Sequence, residues 1–319
     1  MKQIIKAIKK CKNVAIFVHV SPDGDCLGSA SAFLLALKAL GKNATIYSSD
    51  VIGMPFAKTN YFNHVNVCGD VTSKEFDLYA SVDVSSSKQL GIYEDAFIQT
   101  SKNTICIDHH ASNTRYAKQN YIRPDAPAAG EIVFDVINAL KVKITPQIAD
   151  LLYIAIMGDT ACLLNGNATP KTLEILSKLQ KHGANHKAII DMMFKNKSKN
   201  QVEIENVIQS KAKFCKNCAI CSLTLRDVEK YNMANFDLGS MVHLLSEIEG
   251  VKLAAIVREI EKGVTKGSIR SNGEIDCISI AQEFGGGGHV SAAGFRTTDK
   301  TLYDVTRKLT KIMQEKANA

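Results

Sequence analysis

Four apolar runs in the first half of the chain each end in side chains that bind metals or move protons in other proteins. The runs cover residues 14–18, 78–82, 104–107 and 151–157. The side chains that follow them are His19, Asp23, Asp25, Asp83, Asp108, His109, His110 and Asp159. In an open parallel sheet, ligands bind outside the carboxyl ends of the strands. We therefore expect these side chains to share one cleft.

Five carboxylates and three imidazoles in one cleft require a cation. Like charges at close range raise one another's pKa and oppose folding, and a multivalent cation removes that conflict. Oxygen and imidazole donors without cysteine suit Mn²⁺, Mg²⁺ or Fe²⁺. The donors suffice for two ions that share one carboxylate, and two ions about 3.5–4 Å apart serve phosphate-ester hydrolysis. A single aspartate after a strand is more often a turn or capping residue, so the prediction depends on the joint pattern.

Strands that alternate with helices must hold these side chains, and this alternation predicts an α/β fold with a doubly wound parallel sheet. Strands are expected at 14–18, 44–47, 78–82 and 104–107, and helices at 29–40, 130–140, 147–156 and 172–182. Residues 195–213 are polar and rich in lysine, and shorter strands follow them. We assign a catalytic domain to residues 1–190, a linker to 191–212 and a smaller α/β domain to 213–319.

A run of four glycines, Gly285 to Gly288, precedes His289 in the second domain. Without Cβ atoms, such a run lets backbone N–H groups approach an anion. His289 is able to donate to the same anion, and Arg270 is able to bind phosphate through two nitrogens. A turn that only brings a helix close is an equally good explanation of the glycines alone.

The motifs resemble those of the DHH phosphoesterases, with a DHHA1 domain behind them. The resemblance lies in HVSPDGDCLGSA, SVDVSS, IDHHASN and MGDT, and in SIRSNGEIDCISIAQEFGGGGHVSAAGF. It implies two Mn²⁺ ions per chain, with Mg²⁺ or Fe²⁺ as alternatives. The implied ligands are His19 and Asp23 for one ion, Asp25, His109 and Asp159 for the other, and Asp83 as the bridge.

The same resemblance implies roles for residues outside the ligand set. His110 contacts the scissile phosphate, and Asp108 orients a neighbouring histidine. The DHHA1 loop holds the substrate, which implies binding by Arg270, Ser271, Gly286, Gly287, Gly288 and His289. Two motifs depart from the family pattern: Ser86 and Gln89 follow Asp83 where an aspartate and an arginine are common, and Ala161, Cys162 and Leu163 follow MGDT. These departures concern substrate preference.

The expected reaction is hydrolysis of short oligoribonucleotides to mononucleotides, together with removal of the 3′-phosphate of 3′-phosphoadenosine-5′-phosphate. A phosphodiesterase of cyclic or linear dinucleotides is the alternative within the superfamily, and a non-catalytic nucleotide-binding protein is the alternative outside it. A larger RecJ-type exonuclease fits less well, because no further nucleic-acid-binding domain is visible. The net charge of +7 agrees with an anionic partner.

Cysteine usage and hydropathy favour a cytoplasmic protein without a membrane segment. The nine cysteines are scattered, and no secretory signal precedes them. Cys215, Cys218 and Cys221 have the spacing of an iron–sulfur motif, but a convincing fourth ligand is missing, so we expect a turn at Lys216 and Asn217 between two strands. The sequence leaves a homodimer open.

Overall fold

Three of the four apolar runs, at residues 14–18, 78–82 and 104–107, form strands of a parallel sheet, and the fourth, at 151–157, lies in a helix. The structure is a computed structural model that describes residues 1–73, 75–100, 102–195, 197–233, 236, 238–298 and 300–317. In the first of its two units, Met1–Asn196, the strands are β1 (Asn13–Phe17), β2 (Asn43–Ser48), β3 (Val65–Val67), β4 (Leu78–Val82), β5 (Asn103–Asp108) and β6 (Gln119–Ile122). They pair in parallel in the order β3-β2-β1-β4-β5-β6. The predicted doubly wound sheet is confirmed.

The chain changes direction across this sheet between β1 and β4. It runs outward from β1 through β2 to β3, and then returns to place β4 on the other side of β1. A crevice opens at such a switch point, outside the carboxyl ends of the two strands. His19 follows β1 and Asp83 follows β4, so the topology brings these two side chains to the crevice.

Helices flank the sheet, and four of them, at residues 24–39, 129–139, 146–159 and 170–181, correspond to the predicted helices. The flanking helices are α1 (Lys2–Lys10), α2 (Gly24–Ala39), α3 (Glu94–Ile98), α4 (Ala129–Ala139), α5 (Pro146–Asp159), α6 (Pro170–Lys181) and α7 (His186–Ile190). The start predicted for α2, at Ser29, is wrong, because the helix begins at Gly24. Asp23 caps it by accepting a hydrogen bond from the backbone N–H of Cys26 at 3.0 Å.

The two faces of the first sheet are covered differently. Val14 and Ile16 of β1 pack in a core with α2, α4 and α5, whereas Ala15 and Phe17 face a smaller, aromatic core. That second face is covered by α3 and by short irregular segments. Short 3₁₀ helices cover Phe56–Lys58, Asn60–Phe62, Val71–Ser73 and Ser87–Tyr93, and a π-helical turn covers Asp191–Lys195.

A mixed sheet forms the second unit, Lys197–Ala319. Its elements are α8 (Lys199–Lys211), β7 (Lys213–Cys215), β8 (Cys218–Leu223), α9 (Leu225–Lys230), α10 (His243–Ser246), β9 (Leu253–Glu261), β10 (Val264–Ser271), α11 (Cys277–Gln282), β11 (Gly287–His289), β12 (Ala292–Thr298) and α12 (Leu302–Ala317). The strand order is β11-β12-β10-β9-β8-β7, with β8 and β9 parallel and the other pairs antiparallel.

The polar segment assigned to the linker is partly helical. It contains α8, whose Ile204 and Ile208 are buried in a core of the second unit. Further along the chain, a 3₁₀ turn at Ser240–Val242 precedes the short helix α10. In the part of the chain that the structure describes, no helix combines the length and the apolar character that crossing a bilayer requires.

Candidate metal centre

Asp83 lies at the middle of the acidic cluster and has an unusual backbone conformation. Its φ is 60°, in the left-handed region, which aspartate tolerates better than most residues. Its N–H still donates to the carbonyl oxygen of Ile107 at 2.9 Å, so the chain turns at a residue that is itself hydrogen-bonded to β5. The sharp turn places the carboxylate in the crevice, where only 2% of Asp83 is exposed.

One side of Asp83 faces His19. The Nε2 atom of His19 lies 3.7 Å from Oδ2 of Asp83 and 3.7 Å from Oδ1 of Asp23. Asp23 stays at this distance because it caps α2, and His19 because it directly follows the buried strand end. These three side chains form the first group of the cluster.

The other oxygen of Asp83 faces His109. Nε2 of His109 lies 3.4 Å from Oδ1 of Asp83, 3.2 Å from Oδ2 of Asp159 and 3.8 Å from Oδ2 of Asp25. Asp159 is the last residue of α5, and Asp25 lies in the first turn of α2. The cluster therefore consists of two groups of donors that share Asp83, with one of its oxygens toward each histidine.

Backbone carbonyl groups fix the orientation of both histidines. Nδ1 of His19 lies 2.8 Å from the carbonyl oxygen of Val20, and Nδ1 of His109 lies 3.1 Å from that of Ala126. A carbonyl oxygen only accepts, so each Nδ1 carries the proton. In the neutral ring, Nε2 is then the atom with the lone pair, and it is directed at the carboxylates. This is the usual arrangement of a metal-binding histidine.

His110 is oriented by an acid. Its Nδ1–H donates to Oδ1 of Asp108 at 2.7 Å, and the side-chain amide of Asn113 donates to Oδ2 of Asp108 at 2.6 Å. Burial lowers the pKa of His110, but the bond to Asp108 and the charge of Asp83 outweigh it and raise the pKa above its ordinary value. Asp108 thus favours the protonated imidazole, which is a donor.

Charge in the cluster is not balanced by the side chains alone. Burial and the charges of Asp83 and Asp159 raise the pKa of Asp25 well above its ordinary value. Burial by itself lowers the pKa of His109, but the contacts with Asp159 and Asp83 outweigh it and hold that pKa well above normal. Oδ1 of Asp83 is buried and receives no hydrogen bond from the described residues. A buried acceptor among competing carboxylates fits a bound divalent cation.

Cys26 lies beneath the first group, a position that sequence reasoning did not single out. Its thiol is within 4.8 Å of donor atoms of His19 and Asp83. Burial raises the pKa of this thiol to about 12. Its sulfur accepts a hydrogen bond from the N–H of His19 at 3.4 Å and donates to the carbonyl oxygen of Val82 at 3.4 Å. Cys26 therefore helps to connect β1, α2 and β4 below the carboxylates.

Family models match both units of the chain. A model of the DHH family's N-terminal domain matches residues 13–156, and a model of the DHHA1 domain matches residues 206–318. The chain is a DHH–DHHA1 phosphoesterase. Enzymes of this family hydrolyse phosphate esters, so the carboxylate and histidine cluster lies in a hydrolase.

Individual relatives agree with this assignment. The bifunctional oligoribonuclease and PAP phosphatase NrnA of Thermus thermophilus is 29% identical over 295 residues, which are 92% of this chain and 86% of the relative. The crystal structure of an exopolyphosphatase-related protein from Bacteroides fragilis has a TM-score of 0.89 at 22% identity, and the match covers 99% of this chain and 95% of that one. RecJ of Thermus thermophilus, solved with Mn²⁺, has a TM-score of 0.55 at 14% identity, and the match covers 99% of this chain but 54% of RecJ. Both structures share the fold.

In the DHHA1 domain of this phosphoesterase, two of the expected substrate-binding residues lie in one row across the sheet. Arg270 of β10 is paired with Ala292 of β12, and Ala292 is paired with His289 of β11. Directly paired residues of antiparallel strands point to the same face. Arg270 and His289 are thus two strands apart, about 10 Å, with the small Ala292 between them. Ser271 is already bonded, because its hydroxyl donates to the carbonyl oxygen of Ile275 at 2.7 Å.

The glycine run does more than leave room for an anion. A Cβ on Gly286 would lie 2.1 Å from the carbonyl oxygen of Gly294, and one on Gly288 would lie 2.6 Å from that of Ala292. Both glycines are therefore required by the close approach of β12. A Cβ on Gly287 would meet nothing within 4 Å. Only Gly287 and Gly285 leave space beside the backbone, and Gly285 also has a positive φ of 76°.

We expect Gly286→Ala to destabilise the phosphoesterase by about 1–3 kcal/mol, because the added methyl group overlaps the backbone of β12. Gly287→Ala is the matched control and should change the free energy of unfolding by less than about 0.5 kcal/mol. Urea denaturation of both variants measures the difference. Equal stabilities would show that β12 does not require the glycine.

The cysteines with iron–sulfur spacing do not form a cluster in the described structure. The predicted turn is present, since Cys215 and Cys218 face each other in the β7–β8 hairpin and Lys216 has a φ of 48°. Cys218 is buried in the core on one face of the sheet, and Cys221 in the core on the other. Thiols on opposite faces cannot bind the same cluster. Anaerobically purified protein is expected to contain no inorganic sulfide in stoichiometric amounts, and a stoichiometric sulfide content would contradict this.

Proposed function

We propose that this enzyme hydrolyses short oligoribonucleotides to mononucleotides with two Mn²⁺ ions, and that it also converts 3′-phosphoadenosine-5′-phosphate to AMP. The observation that carries the proposal is the position of Asp83, whose two oxygens face two separate histidine groups. The name of the Thermus relative, an oligoribonuclease and PAP phosphatase, supports the substrate class. The Mn²⁺ in the RecJ structure supports a divalent metal ion at such a site.

The proposed ligands follow the two groups. His19 and Asp23 would hold one ion, Asp25, His109 and Asp159 would hold the other, and Asp83 would be a ligand of both. When bound, such a pair of ions lowers the pKa of a water molecule and neutralises the phosphoryl oxygens. The nine unpaired cysteines agree with the reducing cytoplasm as the place of action.

The side chains around the ions position the substrate. We assign to His110 a hydrogen bond from Nε2–H to a non-bridging oxygen of the scissile phosphate. Asp108 holds the ring in the orientation that this bond requires. In the hydrolysis, a bond forms between the water oxygen and phosphorus, and the bond between phosphorus and the leaving nucleoside oxygen breaks. His110 stabilises the negative charge that builds up on the phosphoryl oxygens.

Arg270 and the segment 285–289 bind the substrate away from the scissile bond in this proposal. The catalytic domain, for which we propose residues 1–190, hydrolyses the ester, whereas the domain at 213–319 recognises the nucleotide. A second contact at a fixed distance is needed to distinguish a short chain from a long one, because the reacting phosphate is the same in both.

A substrate panel with Mn²⁺ tests the proposed function. Turnover is measured on RNAs of 2, 5 and 24 nucleotides, on 3′-phosphoadenosine-5′-phosphate, and on linear and cyclic dinucleotides of guanine or adenine with 3′–5′ phosphodiester links. We expect kcat/KM to be highest for the shortest RNAs and to fall steeply for the 24-nucleotide RNA. Preference for cyclic dinucleotides would replace the proposal by the alternative, and no turnover of any substrate would contradict both.

Arg270→Ala and His289→Ala should raise KM for the dinucleotide by about 10–100-fold, because each removes one hydrogen bond to a charged phosphate, which contributes about 1.5–3 kcal/mol. A smaller fall in kcat is expected if the contact also orients the phosphate. Both variants should bind two Mn²⁺ ions, since neither residue is a proposed ligand. Steady-state kinetics on the 2- and 24-nucleotide RNAs measure the effect. Wild-type kinetics of Arg270→Ala on both lengths would contradict the binding role.

A further inference from the structure

The carboxylate of Asp25 is held by three hydrogen bonds from outside the cluster. The hydroxyl of Ser29 donates to Oδ1 at 2.8 Å, and the backbone N–H of Gly130 donates to the same oxygen at 2.9 Å. The N–H of Ala129 donates to Oδ2 at 2.5 Å. Asp25 and Ser29 are both completely buried, so water does not compete for these bonds.

Asp25 replaces the missing cap of α4. Ala128, the N-cap residue of α4, has no side chain that can accept from the first turn. The two N–H groups that bind Asp25 belong to the first two residues of that helix. N–H groups in the first turn of a helix have no partner within the helix. The positive end of the helix dipole favours a carboxylate at this place. Gly130 permits the start of α4 to lie close to α5, because a Cβ there would lie 2.7 Å from the Cβ of Ala155 in α5.

The three donors leave Asp25 one place for a metal ion. A carboxylate oxygen has two lone pairs, so Oδ1 is saturated by Ser29 and Gly130. Oδ2 accepts from one donor, the N–H of Ala129, and keeps a second lone pair. This same oxygen lies 3.8 Å from Nε2 of His109. Asp25 can therefore contribute Oδ2 alone to the ion of the His109 group.

We propose that Ser29 is a positioning residue for metal binding, which together with the first turn of α4 locks Asp25 as a ligand through Oδ2 only. The inference rests on the proposed two-ion centre. Without the hydroxyl, Oδ1 keeps the bond from Gly130 but loses its second donor, so only the two N–H groups of α4 hold the carboxylate and Oδ1 regains a lone pair that can compete for the ion. The ion that Asp25 shares with His109 and Asp159 is then bound less tightly, whereas the ion of His19 and Asp23 is not affected.

Ser29→Ala is the test, and Ser31→Ala is the matched control. Ser31 is also completely buried in α2, but its hydroxyl is bonded to Nε2 of His64 at 2.9 Å and not to Asp25. Mn²⁺ is titrated into the metal-free full-length proteins by calorimetry. For Ser29→Ala we expect one of two ions to bind about 10–100-fold more weakly, as for other residues that orient ligands. Ser31→Ala should bind both ions as the wild type does.

A spectroscopic signature separates positioning from a general structural effect. With two equivalents of Mn²⁺, the wild type should give the electron paramagnetic resonance spectrum of a coupled pair, and Ser29→Ala that of a single ion until Mn²⁺ is in large excess. Ser29→Thr keeps the hydroxyl and should restore the coupled spectrum. Wild-type isotherms for Ser29→Ala, or equal weakening in Ser31→Ala, would overturn the inference. A wild type that binds no pair of ions would instead overturn the proposed metal centre.

Discussion

Asp83→Asn should lower kcat/KM by at least about 1,000-fold while the protein remains folded. Among the residues that the structure describes, Asp83 is the one that faces both histidine groups, with Oδ2 toward His19 and Oδ1 toward His109 at 3.7 and 3.4 Å. Loss of its charge weakens the binding of both ions. Two ions stabilise a phosphoryl transition state by several kcal/mol, and a loss of that size corresponds to a fall of about 1,000-fold in kcat/KM. Asparagine is preferred to alanine because it tolerates the left-handed backbone of this position.

The same substitution should not destabilise the metal-free protein. It removes one of the carboxylates that raise the pKa of Asp25, so repulsion within the buried cluster decreases. Thermal unfolding in a chelator is expected at or above the wild-type temperature, whereas added Mn²⁺ should stabilise the wild type much more than the variant. Asp83→Ala should lose activity equally, but left-handed alanine costs about 1–2 kcal/mol of stability.

Asp77→Asn is the control for Asp83. Asp77 precedes the opposite end of the same strand, where its carboxylate accepts from the N–H groups of Lys12 and Asn13 at 2.8 and 3.1 Å. It is a structural acid and should leave kcat/KM unchanged within about threefold, a change below 1 kcal/mol. Near-wild-type turnover of Asp83→Asn in Mn²⁺, or equal inactivation of Asp77→Asn, would contradict the shared-ligand assignment.

The strand ends of the first unit could be predicted because a parallel sheet leaves little freedom. The apolar runs 14–18, 78–82 and 104–107 are buried on both faces, and the residues after each run must leave the sheet at the same edge. The predicted β4, for example, has the observed bounds Leu78–Val82. The convergence of His19, Asp83 and His109 is then a consequence of the order of the strands.

The start of α2 could not be predicted in the same way. Asp23-Gly24 is a turn signal, and Gly24 and Gly28 disfavour a helix in isolation. The helix includes both glycines because tertiary packing requires them: a Cβ on Gly28 would lie 2.4 Å from the carbonyl oxygen of Leu151 in α5. That contact joins residues 123 positions apart, from 28 to 151, and local sequence carries no trace of it.

The finer geometry of the site depends on similarly distant partners. The bonds from Ala129 and Gly130 to Asp25 span more than 100 residues. The positive φ of Asp83 concerns a single residue, and the sequence around Asp83 does not specify it. The glycine run shows the reverse case, because its sequence favoured an anion site and a close turn equally. The contacts of Gly286 and Gly288 with β12 show that the close approach of this strand is enough to require two of the four glycines.

His110→Ala should lower kcat by about 100- to 10,000-fold while both metal ions stay bound, since His110 is proposed to contact the phosphate and not the ions. Asp108→Asn should have a smaller effect, about 10–100-fold, because the amide can still contact Nδ1 but no longer stabilises the imidazolium. Single-turnover kinetics give the rate of hydrolysis, and calorimetry on the same samples gives the number of Mn²⁺ ions.

These two measurements distinguish His110 from a ligand. The structure places Nδ1 of His110 3.6 Å from Oδ1 of Asp83, so a direct role in metal binding is the competing explanation. If His110 were a ligand, His110→Ala would lose an ion, and excess Mn²⁺ would restore part of the rate. If it contacts the phosphate, the variant keeps two ions and excess Mn²⁺ restores nothing. Asn113→Ala adds a graded test, because it removes the 2.6 Å bond that fixes Asp108 without touching the imidazole. Its rate should fall between those of the wild type and Asp108→Asn, and a wild-type rate would show that the bond from Asn113 does not position Asp108.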